Sequence, residues 1–190
     1  MIILTGFGAY NKFTSNLSGE LVNEFSFKNQ HFRLKKEILP VSWKRSIASY
    51  KNLLSELKSN PDLVVLLGIH SSKNFHLERI GWNLKFGKDI DRKFKVGPIK
   101  ICSPPWIKSI LNLNELYSYI KDISNISLSN YAGSYLCNYI YYWALYISKK
   151  EYPVIFIHIP AKGNKSEYIT KFRSILKVII KIYFKKDLHV

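Results

Sequence analysis

The chain has 190 residues, of which 47% are hydrophobic, and this composition excludes a disordered protein and predicts one globular domain over residues 1–190. Two cysteines cannot build a disulfide framework, and no apolar run approaches the about twenty residues of a membrane span. The formal net charge of +16 suggests a nucleic acid or another anionic partner, but scattered lysines without a recognition motif favour compositional bias instead.

Taken in chain order, the strand signals begin at Met1, which leads directly into an apolar run without a signal-peptide pattern. We therefore expect a cytoplasmic protein. The run from Leu63 to Gly68 is continuously apolar, which is typical of a strand buried on both faces. Apolar or alternating segments predict strands over residues 1–7, 32–39, 63–68, 74–84, 126–129 and 154–159.

Helices are predicted between these strands from apolar spacing and from capping residues such as Asn16 and Ser42. The predicted ranges are 17–25, 42–59, 113–123, 135–149 and 167–185. Residues 86–105 resist assignment, because Gly97-Pro98 and Pro104-Pro105 interrupt any pattern. Alternating strands and helices predict an α/β protein, a three-layer α/β/α sandwich with a mainly parallel, twisted central sheet.

The segment from Ser129 to Asn138 places Cys137 in a helix that follows a turn containing Gly133. Cysteine attacks carbonyl groups as the thiolate, and a helix N-terminus and a nearby imidazole both favour that form. His158 lies near the end of an apolar strand and can supply the imidazole. Glu78 lies in another apolar stretch and can accept the Nδ1 proton of that histidine, which fixes its tautomer. The pattern indicates a hydrolase with a cysteine nucleophile.

Each of these residues also has a purely structural interpretation. Cys137 can be a buried core thiol, His158 a hydrogen-bonded core histidine, and Glu78 a partner of Arg79 or of a lysine. His70 and His76 are alternatives for the catalytic histidine. No metal site is expected, because the histidines and cysteines lack the spacing of metal ligands.

Four segments together resemble the pyroglutamyl peptidase I family. They are the opening segment 2–10 with Asn16 behind it, Leu77-Glu78-Arg79-Ile80-Gly81-Trp82-Asn83, Ala132-Gly133-Ser134-Tyr135-Leu136-Cys137-Asn138, and Phe156-Ile157-His158-Ile159-Pro160. They occur in the order that the family has. The resemblance implies a peptidase that removes N-terminal pyroglutamate from peptides through an acyl-enzyme, with catalytic residues Cys137, His158 and Glu78 and no cofactor.

The resemblance also implies a substrate site for the flat, uncharged lactam of pyroglutamate. It assigns Phe7, Tyr10 and Tyr135 to the aromatic walls, and Asn16 and Asn138 to a loop position and to the position after the nucleophile. Lys88 falls where some members carry an arginine. Pyroglutamyl peptides are then the expected partners, without a specific nucleic acid or a membrane, and a homo-oligomer stays open.

The chain departs from the family in the segments expected around the substrate. Phe7-Gly8-Ala9-Tyr10-Asn11 replaces the usual Phe-x-Pro-Phe-Gly, the stretch after Gly68 is about one residue short, and residues 85–95 are basic where the family has a longer loop. These changes leave the three catalytic candidates intact. They also leave an alternative open, namely a diverged binding or structural protein that has lost turnover.

Overall fold

Six strands form the central sheet of the computed structural model, which describes residues 1–10, 15–123 and 125–184. In spatial order they are β2 (Leu34–Leu39), β1 (Ile2–Phe7), β3 (Leu63–His70), β10 (Val154–Pro160), β4 (Phe75–Glu78) and β9 (Ile126–Ser129). All neighbours are parallel except β10 and β4, which are antiparallel. The predicted α/β fold with a mainly parallel sheet is confirmed.

Helices cover both faces of this sheet. α1 (Leu17–Glu24), α3 (Leu113–Ile120) and α5 (Lys165–Phe184) pack on one face, whereas α2 (Trp43–Ser55) and α4 (Leu136–Ser148) pack on the other. Successive residues of a strand point to opposite faces, so Val65 and Leu67 enter the first core and Val64 and Leu66 the second. The continuous apolar run of β3 is explained by this burial on both sides.

Several predicted boundaries need correction. The segment 74–84 is two short strands, β4 and β5 (Ile80–Trp82), separated at Arg79, where the chain leaves the central sheet. α2 ends at Ser55 rather than at residue 59, and α3 ends at Ile120 rather than at residue 123. α4 ends at Ser148, because Lys149 adopts a left-handed backbone conformation with φ 48°.

The segment without a predicted structure contains a β-hairpin, and a short strand follows it. β6 (Lys85–Lys88) pairs with β7 (Phe94–Gly97), and β8 (Trp106–Lys108) pairs with β5. The hairpin is fixed to the N-terminus of α2 by Asp89, whose carboxylate accepts hydrogen bonds from the backbone N–H groups of Trp43 and Lys93. The basic segment is thus part of the folded structure. Of the opening loop, Asn11 lies outside the described residues.

None of the helices in the described ranges is both long and apolar enough to cross a membrane. α5, with 20 residues, is the longest of them, and it carries lysines along its length.

Candidate active site

One face of the sheet gathers the histidine and the carboxylate that the sequence singled out. His158 on β10 lies opposite Gly68 of β3 and His76 of β4, and Phe156 lies opposite Glu78. Paired residues share a face, as do residues two apart on one strand. The side chains of Glu78 and His158 therefore point to the same side, toward α4.

Cys137 is the second residue of α4 and lies over Gly68. The turn before the helix contains Gly133, whose φ of +84° is costly for other residues. A Cβ atom on Gly68 would lie 2.8 Å from Cys137 Sγ and 2.7 Å from Cζ of Phe156. The missing side chain at Gly68 thus makes the space that the sulfur occupies. Cys137 is partly exposed, which a nucleophile requires.

Glu78 and His158 form a buried hydrogen-bonded pair. The Nδ1 atom of His158 lies 2.7 Å from Glu78 Oε1, and the two residues are only 5% and 1% exposed. Since the carboxylate accepts, Nδ1 carries a proton and Nε2 is left for the Cys137 thiol, the other hydrogen-bond partner of the ring. Burial by itself lowers the pKa of His158, but the charges and hydrogen bonds of Cys137 and Glu78 outweigh it and raise that pKa to about 9.

Arg79 bonds other residues than Glu78, so the alternative role of Glu78 as its partner is wrong. The Arg79 guanidinium donates to the side-chain oxygens of Asn130 and Asn114, at 2.7 and 3.1 Å. Glu78 is instead held from its backbone, because the Tyr141 hydroxyl donates to its carbonyl oxygen at 2.8 Å. Within the described residues, Glu78 Oε2 is buried without a hydrogen bond. The carboxylate is thus committed to His158 through one oxygen.

The two histidines that were alternatives for the catalytic one, His70 and His76, lie beside His158. The His70 ring stacks on His158 with centroids 5.1 Å apart, and it meets the His76 ring edge-on at 4.2 Å. His70 Nε2 donates to the carbonyl oxygen of Asn74 at 2.7 Å. Burial lowers the pKa of His70 to about 4, against the opposing effect of that hydrogen bond, and burial also lowers the pKa of His76. Both rings are therefore neutral near pH 7.

An apolar cavity of about 320 Å³ opens beside Cys137. Four of the five predicted substrate-binding residues line it: Phe7, Tyr10, Asn16 and Tyr135. Sequence reasoning did not assign the rest of the wall to substrate, namely Val41, Ile69, His70, Ser71, Leu136 and Ala161. All of these residues except Leu136 lie at or just after the carboxyl ends of β2, β3 and β10, and that position is the one signal that could have found them.

Lys88, the fifth predicted residue, does not line this cavity. It is exposed on β6 and borders a neighbouring cavity of about 520 Å³ together with Tyr10, Asp89, Ile90 and Arg92. Its link to the apolar cavity is its carbonyl oxygen, which accepts a hydrogen bond from the Tyr135 hydroxyl at 2.8 Å. Burial raises the pKa of Tyr135, so the hydroxyl stays protonated and acts as this donor.

Two asparagines fix the surroundings of the cavity. Asn16 caps α1, because its Oδ1 accepts from the backbone N–H and the hydroxyl of Ser18 at 3.1 and 2.8 Å. Asn138, which is fully buried, bonds the backbone N–H and C=O of Trp82 and the carbonyl of Leu84. The start of α4 is thereby joined to the segment that follows Glu78. Across the described ranges, no group of three or more His, Cys, Asp and Glu side chains is arranged to hold a metal ion.

The fold and the site define an α/β protein in which a cysteine at a helix start meets a buried histidine–glutamate pair beside an apolar cavity. The family model described as pyroglutamyl peptidase matches residues 1–171, and the chain belongs to that family. The pyrrolidone-carboxylate peptidase of Thermosipho melanesiensis is 28% identical over 173 residues, covering 86% of this chain and 84% of that protein. Human pyroglutamyl-peptidase 1 is 27% identical over 175 residues, covering 86% and 80%.

The fold is also that of solved family members. The pyrrolidone carboxyl peptidase of Thermococcus litoralis superposes with a TM-score of 0.87 at 23% identity, covering 100% of this chain and 97% of that one. The enzyme of Thermus thermophilus superposes with a TM-score of 0.84 at 24% identity, covering 93% and 98%. At this level of identity the likeness establishes the fold, and the chemistry must be argued from the residues themselves.

Proposed function

We propose that this protein is a cysteine peptidase that removes pyroglutamate from the N-terminus of peptides. The observation that carries the proposal is the chain of contacts Glu78–His158–Cys137, which ends beside an apolar cavity. Its relatives named pyroglutamyl-peptidase and pyrrolidone-carboxylate peptidase support the substrate. The raised pKa of His158, about 9, supports a catalytic role over that of a satisfied core histidine.

The cavity suits a small uncharged lactam. Its walls include Phe7, Tyr135 and Leu136, and the lining residues carry no carboxylate that could capture a free amine. We assign the Asn16 NH₂ group as the donor to the lactam carbonyl, because the Oδ1 atom of the same side chain already accepts from Ser18. Proline lacks that carbonyl, and glutamate would bring charges into an apolar space. Both should therefore be rejected.

The reaction follows from the positions of three groups. His158 holds the proton of the Cys137 thiol, and the thiolate attacks the pyroglutamyl carbonyl carbon, forming an S–C bond. The oxyanion accepts a hydrogen bond from the Cys137 backbone N–H at the start of α4, where helix N–H groups lack intrahelical partners. The C–N bond then breaks as His158 protonates the departing amine. Water, deprotonated by His158, hydrolyses the thioester and returns the thiol.

The proposal is tested with three fluorogenic amides that differ in the acyl residue. The reduced protein should cleave the pyroglutamyl amide and leave the prolyl and glutamyl amides intact. Cys137→Ala should abolish cleavage while its thermal unfolding midpoint stays close to that of the parent, and Cys102→Ala, at an exposed cysteine, should retain activity.

Two outcomes would contradict the proposal in different ways. Preference for the prolyl amide would keep the cysteine chemistry and refute the substrate. If the reduced protein cleaves none of the three amides although its Cys137 still reacts with iodoacetamide, the diverged binding or structural protein is favoured.

A further inference from the structure

A second cavity, of about 700 Å³, adjoins the apolar cavity on the side away from Phe7. It lies between the loop that follows β3 and the loop that joins β10 to α5. His70, Ser71 and Ala161 line both cavities, so the two spaces are neighbours that share this part of their wall. The second cavity is about twice as large as the first, and its wall carries more polar groups than the almost wholly apolar wall of the first.

The charge of the second cavity is positive. Three lysines line it, Lys73, Lys162 and Lys171, against one acidic residue, Glu167. Lys171 is only 7% exposed, and its Nζ lies 3.7 Å from Glu167 Oε1, a long ion pair. Lys73 and Lys162 are exposed, and the described residues offer neither of them a salt bridge. An anionic group in this space would therefore meet ammonium groups that no carboxylate neutralises.

The position of His158 indicates which part of a peptide enters this space. His158 must protonate the departing amine, so the leaving peptide has to pass close to its ring. That ring stacks on His70, which is one of the three residues that line both cavities. With pyroglutamate in the apolar cavity, the chain that follows it leads over His70 and Ser71 toward Lys73 and Lys162.

We propose that the second cavity receives the residue after pyroglutamate and selects peptides with an acidic side chain there. This inference rests on the proposed function, because it takes the apolar cavity to hold the pyroglutamyl group. The neutral ring of His70 adds no charge, and the N-terminus of α5, capped by Asn164, adds a further partial positive charge at the cavity wall. The favoured substrates are then peptides that begin pyroglutamyl-glutamate or pyroglutamyl-aspartate.

Three amidated dipeptides that differ only in the second side chain test the inference: pyroglutamyl-Glu, pyroglutamyl-Gln and pyroglutamyl-Lys. The Glu and Gln peptides have nearly the same shape, so their ratio reports the charge alone. At low salt we expect kcat/KM to fall in the order Glu, Gln, Lys, with about three- to tenfold between Glu and Gln. Salt should compress the ratio, since exposed charges are screened. Equal rates for Glu and Gln at low salt would overturn the inference.

Lysine variants locate the effect. Lys73→Gln and Lys162→Gln should each lower the Glu to Gln ratio, and the double variant should bring it close to one. Lys58→Gln is the matched control, because it removes the same charge from an exposed position on another cavity, beside Leu57 and Tyr152. If the control lowers the ratio as much as the double variant does, the selection comes from the overall charge and the cavity assignment is wrong.

A binding measurement separates this inference from the proposed function. Calorimetry with the Cys137→Ala protein needs no turnover, and it should show tighter binding of the Glu dipeptide than of the Gln dipeptide. Equal affinities would overturn the acidic preference even if the parent protein cleaves pyroglutamyl amides. Failure of the parent to cleave any pyroglutamyl amide, with a binding preference for Glu intact, would instead refute the proposed function and keep the subsite.

Discussion

The carboxylate of Glu78 offers the sharpest test of the site, because it can be replaced by an amide of nearly the same shape. Glu78→Gln keeps an oxygen that can accept from His158 Nδ1, now 2.7 Å from Oε1, but removes the negative charge. The charge and the hydrogen bond of Glu78 both raise the pKa of His158. The substitution should therefore lower that pKa from its value of about 9 and leave the imidazole less often protonated beside Cys137.

The expected size follows from the strength of this contact. A hydrogen bond to a buried charged group contributes about 1.5–3 kcal/mol, and about 1.4 kcal/mol corresponds to one pKa unit. The pKa of His158 should thus fall by roughly one to two units. Since the proposed mechanism needs both the charge on the imidazole and the orientation of the ring, kcat/KM for a pyroglutamyl amide should fall by about 10²–10⁴.

Two pH profiles measure the effect. In the parent protein, kcat/KM should decline on the alkaline side as His158 loses its proton near pH 9, and in Glu78→Gln this decline should begin at lower pH. The rate of iodoacetamide labelling at Cys137 gives a profile without any substrate, and a Cys102→Ala background removes the other thiol. Glu56→Gln, which removes a carboxylate from an exposed ion pair with Lys35, is the control.

Stability should change with pH in a defined direction. The folded pKa of His158 lies above its unfolded value of 6.5, so the stabilisation is complete below about pH 6.5 and is lost as the pH rises through about 9. Glu78→Gln should flatten this dependence, as measured by urea unfolding across that range. An unchanged alkaline limb, an unchanged labelling rate and an unchanged pH dependence of stability would refute the role given to Glu78.

Three further predictions concern the surroundings and the reactivity of Cys137. Gly68→Ala should lower the free energy of unfolding by about 1–3 kcal/mol and slow the alkylation of Cys137, since the new methyl group would lie 2.8 Å from Sγ. Gly8→Ala is the control, because a methyl group there has no neighbour nearer than 3.6 Å. Urea unfolding and mass spectrometry of the alkylated proteins compare the two variants. Asn138→Leu should lower the free energy of unfolding by about 2–5 kcal/mol, because the backbone N–H of Trp82 and the carbonyl of Leu84 lose their side-chain partner, and calorimetry that finds no loss would contradict this. Brief iodoacetamide treatment should label Cys137 faster than Cys102, and His158→Ala should slow that labelling; equal labelling that is independent of His158 would indicate an ordinary core thiol.

Much of the sheet was predictable because its central strands are buried on both faces. The sequence of β3 is a continuous apolar run up to Gly68, and β10 is apolar apart from His158. Every residue of β10 is buried. The positions of Cys137 and His158 follow from these elements, one at a helix start and the other near a strand end. The meeting of Glu78 with His158 was less accessible to sequence reasoning, since it depends on β4 running antiparallel to β10.

The hairpin could not be predicted, for a physical reason. Phe86, Phe94 and Val96 are all more than half exposed, so the hairpin has no buried face and hence no alternation for a pattern to detect. Asp89 fixes it by accepting from Trp43 N–H, a contact between residues 46 positions apart. The placement of Lys88 outside the apolar cavity depends on the same tertiary contacts.

Two of the three departures from the family, the opening loop and the hairpin, lie outside the contacts that hold Glu78, His158 and Cys137 together. Glu78, His158 and Cys137 are held by strand pairing, by Gly68 and by the start of α4, none of which lies in the altered opening loop or in the hairpin. The hairpin reaches the cavity through the Tyr135 hydroxyl on the Lys88 carbonyl oxygen. A change in the hairpin therefore shifts the Tyr135 ring and leaves Glu78, His158 and Cys137 in position. Variation in the hairpin should thus appear in KM, whereas variation in the strand ends should appear in kcat.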